Sequence, residues 1–475
     1  MTADTFFSES GRSWLETEVV PAYLQRSRWF GGKARRLQRV ELTEVIAFDC
    51  GACLTLVKVY YADGEPEIYQ LPLLLGARGS VTSVLAESPA ALIAEARDNV
   101  LLDALFLADF RAELWQKISG SKGAAPESKV LSAEQSNSSL LYGGKTFVKV
   151  FRRIEAGVNP DAEILRFLAE ERKFPNVPGF VGAWECPLAG RDGALLAIAI
   201  AAVPNRGDAW TFALSELAQF YKRAGHESAR DAGHIRAIVG DDILARIAQL
   251  GRRTGELHGA LAEPTANPDF APEPLTSPDF VRLRQSVLSL WTEVTASAPA
   301  EHAAALAVAT PRIARLAQEF TARAIAGTKI RTHGDFHLGQ VLETGDDFVI
   351  IDFEGEPARS IAERRRKQSP LRDVAGMLRS LHYAAHAARP DATAQTKAWA
   401  EAWTDVASRA FLDAWREATA GASFRPVRDA DLRFLLDAFL LEKAIYEIRY
   451  ELNNRPAWLP IPLSGLWRVL GREPV

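Results

Sequence analysis

The chain has 475 residues, 48% of them hydrophobic and 24% charged, with a formal net charge of −4. That length predicts two or three domains, and the near-balanced charge excludes a global field for nucleic acid or an anionic membrane. Three cysteines, an odd and small number, exclude a disulfide framework and point to a reducing compartment.

The first thirty residues carry acids and no continuous apolar core, so no signal peptide is expected. The longest apolar run, residues 194–203, is far too short to cross a bilayer. A cytoplasmic protein without a membrane partner is the expectation. Residues 14–25 have apolar positions at helical spacing. The following Arg28-Trp29-Phe30-Gly31-Gly32-Lys33 reads as a turn whose aromatics plug a core. Residues 39–48, 52–61 and 67–75 alternate or are β-branched and read as strands, with Ala62-Asp63-Gly64 as a hairpin turn. Cys50 and Cys53 form a lone C-x-x-C without a second pair, read as two cysteines around a turn entering a strand rather than as a zinc site. Residues 85–97 and 99–119 read as helices. The predicted unit is therefore a small α+β domain over residues 1–118. Residues 119–128, SGSKGAAPES, have the composition of a linker.

Residues 129–204 read as strands around a nucleotide. Ser136, Asn137 and Ser138 precede an apolar run, a Gly-Gly turn and a second run, where small polar residues let backbone N–H groups approach phosphates. Tyr142-Gly143-Gly144-Lys145-Thr146 is not a P-loop, because Ser139 stands where the leading glycine belongs and a strand follows. Lys149 is the better lysine. It lies inside an apolar strand, where a cation needs a partner or a phosphate. Glu163, on a helix opened by Asn159-Pro160, is the candidate partner, as in the lysine–glutamate pair with which protein kinases orient ATP. The run to Val203 then leads to a hinge, with the backbone around Ala201 to Val203 facing adenine.

Residues 205–475 are mostly helical in pattern. Asp208 is an N-cap candidate, and residues 211–224, 241–261, 280–296 and 300–326 read as helices around a proline-rich loop. His258 reads as a packed helix histidine. Then comes the densest stretch, Arg331 to Pro357. Asp335 and Gln340 stand five apart, the offset of the Asp and Asn of a kinase catalytic loop. Two short apolar runs around Gly345-Asp346 form a hairpin that ends on Asp352. A hydroxyl acceptor needs a carboxylate beside it, and Asp335 fits. Magnesium needs hard oxygens, and Asp352 with the Gln340 amide would supply two. The basic run from Arg364 to Lys367 reads as a solvated face or an anchor for the loop carrying Glu354 and Glu356. The last long helix, residues 429–453, repeats Leu441, Ile445, Ile448 and Leu452 at four, three and four, which reads as a buried stripe. It sets Lys443, Tyr446, Glu447 and Tyr450 on a neighbouring face, a combination suited to a sugar.

HGDFHLGQVL followed by IDFEGEP, SPLRDVAGMLRS and EKAIYEIRYE with NNRP resembles the maltokinase family, within the aminoglycoside-phosphotransferase-like kinases. The resemblance runs from about residue 15 to the end. It implies an α+β, bilobal protein-kinase-like fold: an N-terminal α+β cap, a β-rich N-lobe and a helical C-lobe. It also implies ATP and Mg2+ as cofactors, with maltose phosphorylated at its anomeric hydroxyl to maltose 1-phosphate, feeding α-glucan synthesis. The resemblance places Lys443, Tyr446 and Tyr450 at the sugar, and Glu354 is counted with them. It gives Asp373 and His333 the task of bracing the catalytic loop, and it leaves open an association with a trehalose synthase. The alternatives are a kinase for glucosamine or an aminoglycoside, and a regulator that binds ATP or glucan without turnover. A cationic acceptor calls for a carboxylate-rich cleft, whereas Lys443 beside two tyrosines suits a neutral sugar.

Overall fold

The computed structural model describes residues 8–131, 136–187, 193–225 and 231–471. It falls into two compact units, Met1–Arg166 with Pro178–Val203, and Phe167–Val177 with Pro204–Val475. No helix among the described residues is long and apolar enough to cross a membrane.

The first unit opens with α1 (Glu9–Trp14) and α2 (Val20–Arg26), joined through a π-helical turn at Leu15–Val19. The strands β1 (Leu37–Ala47), β2 (Cys53–Tyr61) and β3 (Glu67–Ala77) follow as the sequence predicts, and α2 packs Val20, Tyr23 and Leu24 into their core. Trp29 and Phe30 plug that core against Tyr69, with ring centroids 6.0 and 5.2 Å away. Gly32 has to be glycine, because a Cβ there would stand 2.3 Å from the Tyr61 hydroxyl.

The two helices expected over residues 85–97 and 99–119 are half wrong. Only α3 (Thr82–Glu87) and α4 (Ala108–Ser119) are α-helical, with single 3-10 turns at Pro89–Ala91 and Ala104–Phe106. Between them lie β4 (Leu92–Ala96) and β5 (Asn99–Asp103), a hairpin turned at Arg97, which takes φ +54°. β5 sits inside the sheet, whose order is β1-β2-β3-β5-β4, and Val100, Leu101 and Leu102 are all fully buried. A strand buried on both faces has no alternation, and a short apolar run cannot be told from a helix by period.

The second sheet takes β6 (Ser128–Leu131), β7 (Asn137–Tyr142), β8 (Thr146–Phe151), β10 (Phe180–Cys186) and β11 (Ala194–Ala201), in the order β10-β11-β8-β7-β6. The short β9 (Arg153–Ile154) leaves this sheet and pairs with β3, and the Gln70 amide donates to the Phe151 and Leu196 carbonyls. A buried cluster of Tyr23, Asp103 and Arg152 adds a polar tie, with the Tyr23 hydroxyl 2.9 Å from Asp103 and Arg152 over Trp29. Residues 120–127 carry no helix or strand. α5 (Pro160–Arg166) opens on Asn159, whose side chain accepts from the Asp161 N–H at 2.9 Å.

The second unit is helical. α6 (Ala209–Ala224) is capped by Asp208, which accepts from the Thr211 N–H at 2.7 Å. After α7 (Ala232–Val239) and α8 (Asp241–Ala262), two residues pair β12 (Glu273–Pro274) with β13 (Thr328–Lys329) around α9 (Ser277–Ser297) and α10 (Ala300–Ala322). β14 (Val341–Glu343) and β15 (Phe348–Ile350) form the expected hairpin, with Gly345 at φ +101° in its turn. Then come α11 (Ile361–Arg364), α12 (Leu371–Ala387), α13 (Ala394–Ala418), α14 (Asp429–Asn454) and α15 (Pro460–Leu470). α12 is buried along almost its whole length, so it forms the centre of the unit. α8 presses against α13 at Gly251, where a Cβ would stand 2.2 Å from the Phe411 carbonyl oxygen.

Candidate active site

The loop from Arg331 to Gly339 is held from below by Asp373, at the start of α12. Asp373 accepts from the His333 N–H at 2.8 Å and the Gly334 N–H at 3.0 Å. His258 Nε2 lies 3.2 Å from the same carboxylate. Trp415 Nε1 donates to His258 Nδ1 at 3.0 Å, which leaves the ring proton on Nε2, pointed at Asp373. Burial alone would raise the Asp373 carboxyl, but the His258 hydrogen bond and the His333 and Gly334 contacts outweigh it and lower it. His258 is thus a packed helix histidine, as its sequence suggests, and also the second brace of the loop.

The loop is tied to the hairpin as well. His333 Nε2 is 3.0 Å from the Ile351 carbonyl, and the Ile351 N–H donates to the Gln340 carbonyl at 3.0 Å. Gly334, at φ +86°, stands so close to the next loop that a Cβ would be 3.2 Å from Gly355 Cα. These ties bring the segment of Asp335 and Gln340 beside the segment of Asp352. Asp352 takes φ +67°, in the left-handed region that few residues with a side chain other than asparagine and aspartate adopt.

Asp335 points at α14. Its Oδ1 accepts from Lys443 Nζ at 3.0 Å, and Lys443 also donates to Glu356 at 3.1 Å. Glu356 is only 2% exposed and is further held by Arg372 at 3.0 Å and by Arg359. Arg359 and Arg372 also meet Glu442, the residue before Lys443. Asp335, Glu356, Arg359, Arg372, Lys443 and Tyr446 line a narrow recess. It continues into a cavity of about 390 Å3 walled by α9 and α14. Lys443 lies 4.7 Å from the Tyr446 ring centroid. Tyr450 is 43% exposed and carries Arg455 over its ring, and Glu447 is bound to Arg379 at 2.7 Å. Glu354 is half-buried, and its carbonyl accepts from Arg364 at 3.1 Å, so the basic run does anchor this loop. The sequence reading missed Arg359, Arg372 and Glu442. Their one visible signal was adjacency, Arg372 to Asp373 and Glu442 to Lys443.

Burial pushes the Glu356 carboxyl up, but Arg372, Lys443 and Arg359 together outweigh it and hold it well below the usual range. A depressed carboxyl contributes stability that is present above its unfolded value, about 4.3, and is lost as pH falls. Glu356→Gln is therefore expected to destabilise at pH 7 by about 3–5 kcal/mol, the size of a broken buried pair. The gap between variant and wild-type melting temperatures should narrow as the pH is lowered from 6 to 3, read by thermal denaturation. A gap that stays constant would remove Glu356 from the charged network.

In the first unit, Lys149 Nζ lies 3.2 Å from Asp161. Asp161 lies on α5, and Glu163 follows two residues later on the same helix. Asn137 and Ser138 open β7 opposite Phe151 and Val150 of β8, with Ser136 just before them. The Ser138 hydroxyl is 2.8 Å from Arg152 Nε. Ala201 ends β11, its N–H bonded to the Gly179 carbonyl at 2.7 Å, and Val203 closes the unit.

The model for the maltokinase N-terminal cap domain matches residues 23–106. A glucosamine kinase of Streptacidiphilus jiangxiensis is 28% identical over 359 residues, covering 73% of this chain and 75% of that protein. A glucosamine kinase of Mycolicibacterium smegmatis is 27% identical over 365 residues, covering 74% and 82%. A solved glucosamine kinase in complex with glucosamine, ADP and inorganic phosphate shares the fold with a TM-score of 0.62 at 23% identity, covering 94% of this chain and 98% of that one. A second crystal form of glucosamine kinase gives a TM-score of 0.63 at 23% identity, covering 95% and 97%. The chain thus carries a maltokinase N-terminal cap domain over residues 23–106, is similar in sequence over most of its length to glucosamine kinases, and shares their fold.

Proposed function

We propose that the chain transfers the γ-phosphoryl group of ATP to the anomeric hydroxyl of maltose, giving maltose 1-phosphate for α-glucan synthesis. The observation that carries this reading is the charge balance of the recess beside Asp335. Its three acids, Asp335, Glu356 and Glu442, are answered by three bases, Lys443, Arg359 and Arg372. A pocket whose charges are already paired suits a polar, uncharged acceptor, since an ammonium group would have to displace one of those bases. The adjoining cavity of about 390 Å3 leaves room beyond the first sugar ring.

In this reading Asp335 orients the acceptor hydroxyl and takes its proton, while Lys443 fixes the carboxylate so that its free oxygen faces the acceptor. Lys149, set by Asp161 and Glu163, neutralises phosphate charge. The backbone from Ser136 to Ser138 lies along the phosphates, and that of Ala201 to Val203 along adenine. Tyr446, Tyr450 and Glu354 contact the sugar. The hard oxygens of Asp352 and Gln340 fit Mg2+, which when bound would screen charge on the phosphates. Little covalent chemistry is asked of the protein, so positioning and electrostatics carry the rate.

Glucosamine is the second reading, favoured by the names of the curated relatives. ATP consumption measured with maltose, glucosamine, glucose and kanamycin, with phosphorus NMR of each product, separates the two. Maltose is expected to be the best acceptor and to give an anomeric phosphate. Preferred turnover of glucosamine would discard maltose and keep the kinase.

A further inference from the structure

A second cavity, of about 790 Å3, lies in the helical unit against α12, α13, α14 and α15. α14 serves both spaces. Leu435, Phe439, Glu442 and Tyr446 line the cavity that adjoins Asp335, whereas Arg433, Leu436, Asp437 and Leu440 line the second one. Those sets are offset by one to two residues, which places them on different faces of the helix.

The floor of the second cavity is apolar, with Leu436, Leu440 and Val469 buried. Its rim is rich in guanidinium groups. Arg409 and Arg433 are exposed and have no ion partner among the described residues. Arg416 keeps its Nε buried with no hydrogen-bond acceptor. This contrasts with the recess at Asp335, where every cation is matched by a carboxylate. A buried guanidinium N–H without an acceptor carries a desolvation cost that an incoming anion would remove.

A cation is the wrong occupant. His382, His386 and Glu401 stand close enough to share an ion. But Arg379 donates to His382 Nδ1 at 3.2 Å, and Arg468 Nη1 lies 2.7 Å from Glu401. An ion there would sit between two guanidiniums, and His382 would have no proton to place on Nδ1 toward a second acceptor.

We propose that this cavity binds a phosphorylated sugar. Its phosphate meets Arg409, Arg416 and Arg433, the residue type that best matches phosphate oxygens in a fork. The sugar ring lies over the leucine floor, and Ser408 and Asp413 are placed for its hydroxyls. The site is separate from the acceptor recess and does not depend on which sugar that recess takes.

Isothermal titration calorimetry of the full chain with glucose 1-phosphate, inorganic phosphate and glucose tests it. The doubly substituted Arg409→Ser, Arg433→Ser chain changes two exposed side chains, and circular dichroism checks that it folds. Wild type and Asp335→Asn are expected to bind glucose 1-phosphate alike, and the double variant about tenfold more weakly or worse, the loss of one or two charge-assisted contacts. Three results overturn the proposal: no saturable heat, unchanged affinity in the double variant, or inorganic phosphate binding as tightly as the phosphorylated sugar. Loss of binding in Asp335→Asn alone would assign the ligand to the acceptor recess and overturn it as well.

Discussion

Asp335→Asn is expected to lower turnover by about 10²–10⁴-fold, the range for removing a general base, while the chain keeps its melting temperature and its affinity for ATP. The reason is local. Lys443 holds one oxygen of Asp335, so the other is the atom left for an acceptor proton. An amide still fits beside Lys443 but takes no proton. Single-turnover kinetics with nucleotide binding measured separately checks this. Near-normal turnover would take Asp335 out of the chemistry, and lost nucleotide binding would make it a structural residue.

Asp373→Ala is expected to fail in a different way. Asp373 is fully enclosed and accepts from two backbone N–H groups and faces His258. Removing it leaves the His333 and Gly334 N–H groups buried without acceptors, at about 1–3 kcal/mol each. The loop that carries Asp335 then loses its support. Melting temperature and turnover should both fall, whereas Asp335→Asn lowers turnover alone. Thermal denaturation beside steady-state kinetics distinguishes them. Full stability in Asp373→Ala would mean that water or a neighbouring side chain replaces the carboxylate.

The loop of Asp335, the hairpin after it and the start of α12 were legible as one structural unit because their information is local. The offset of Asp335 and Gln340, the turn at Gly345 and the start of α12 at Asp373 all lie within short windows. What joins across long separations was not. Lys443 reaches Asp335 over 108 residues, and that contact makes a lysine read as a sugar ligand a partner of the proposed base as well. Asp161 was not singled out because the analogy with protein kinases supplies only a glutamate, and the contact of this aspartate with Lys149 depends on where the helix starts. β5 was misread because burial on both faces erases alternation, and β4, five residues at the edge of the sheet, is too short to show a period of its own. On α14 the two tyrosines sit at different depths. Tyr446 lines the recess, but Tyr450, one turn further, stands out at the surface. Helical spacing says which residues share a side of the rod and not how far along it the neighbouring helices extend.

The left-handed backbone at Asp352 limits how this enzyme can decay. Few residue types settle there without strain, chiefly glycine, asparagine and aspartate. If the carboxylate serves the proposed phosphoryl transfer, a descendant that abandons that reaction has only a narrow exit at this position. Asparagine or glycine will be found in such silent lineages far more often than alanine, valine or leucine, because the chain must still turn there after the carboxylate has ceased to matter.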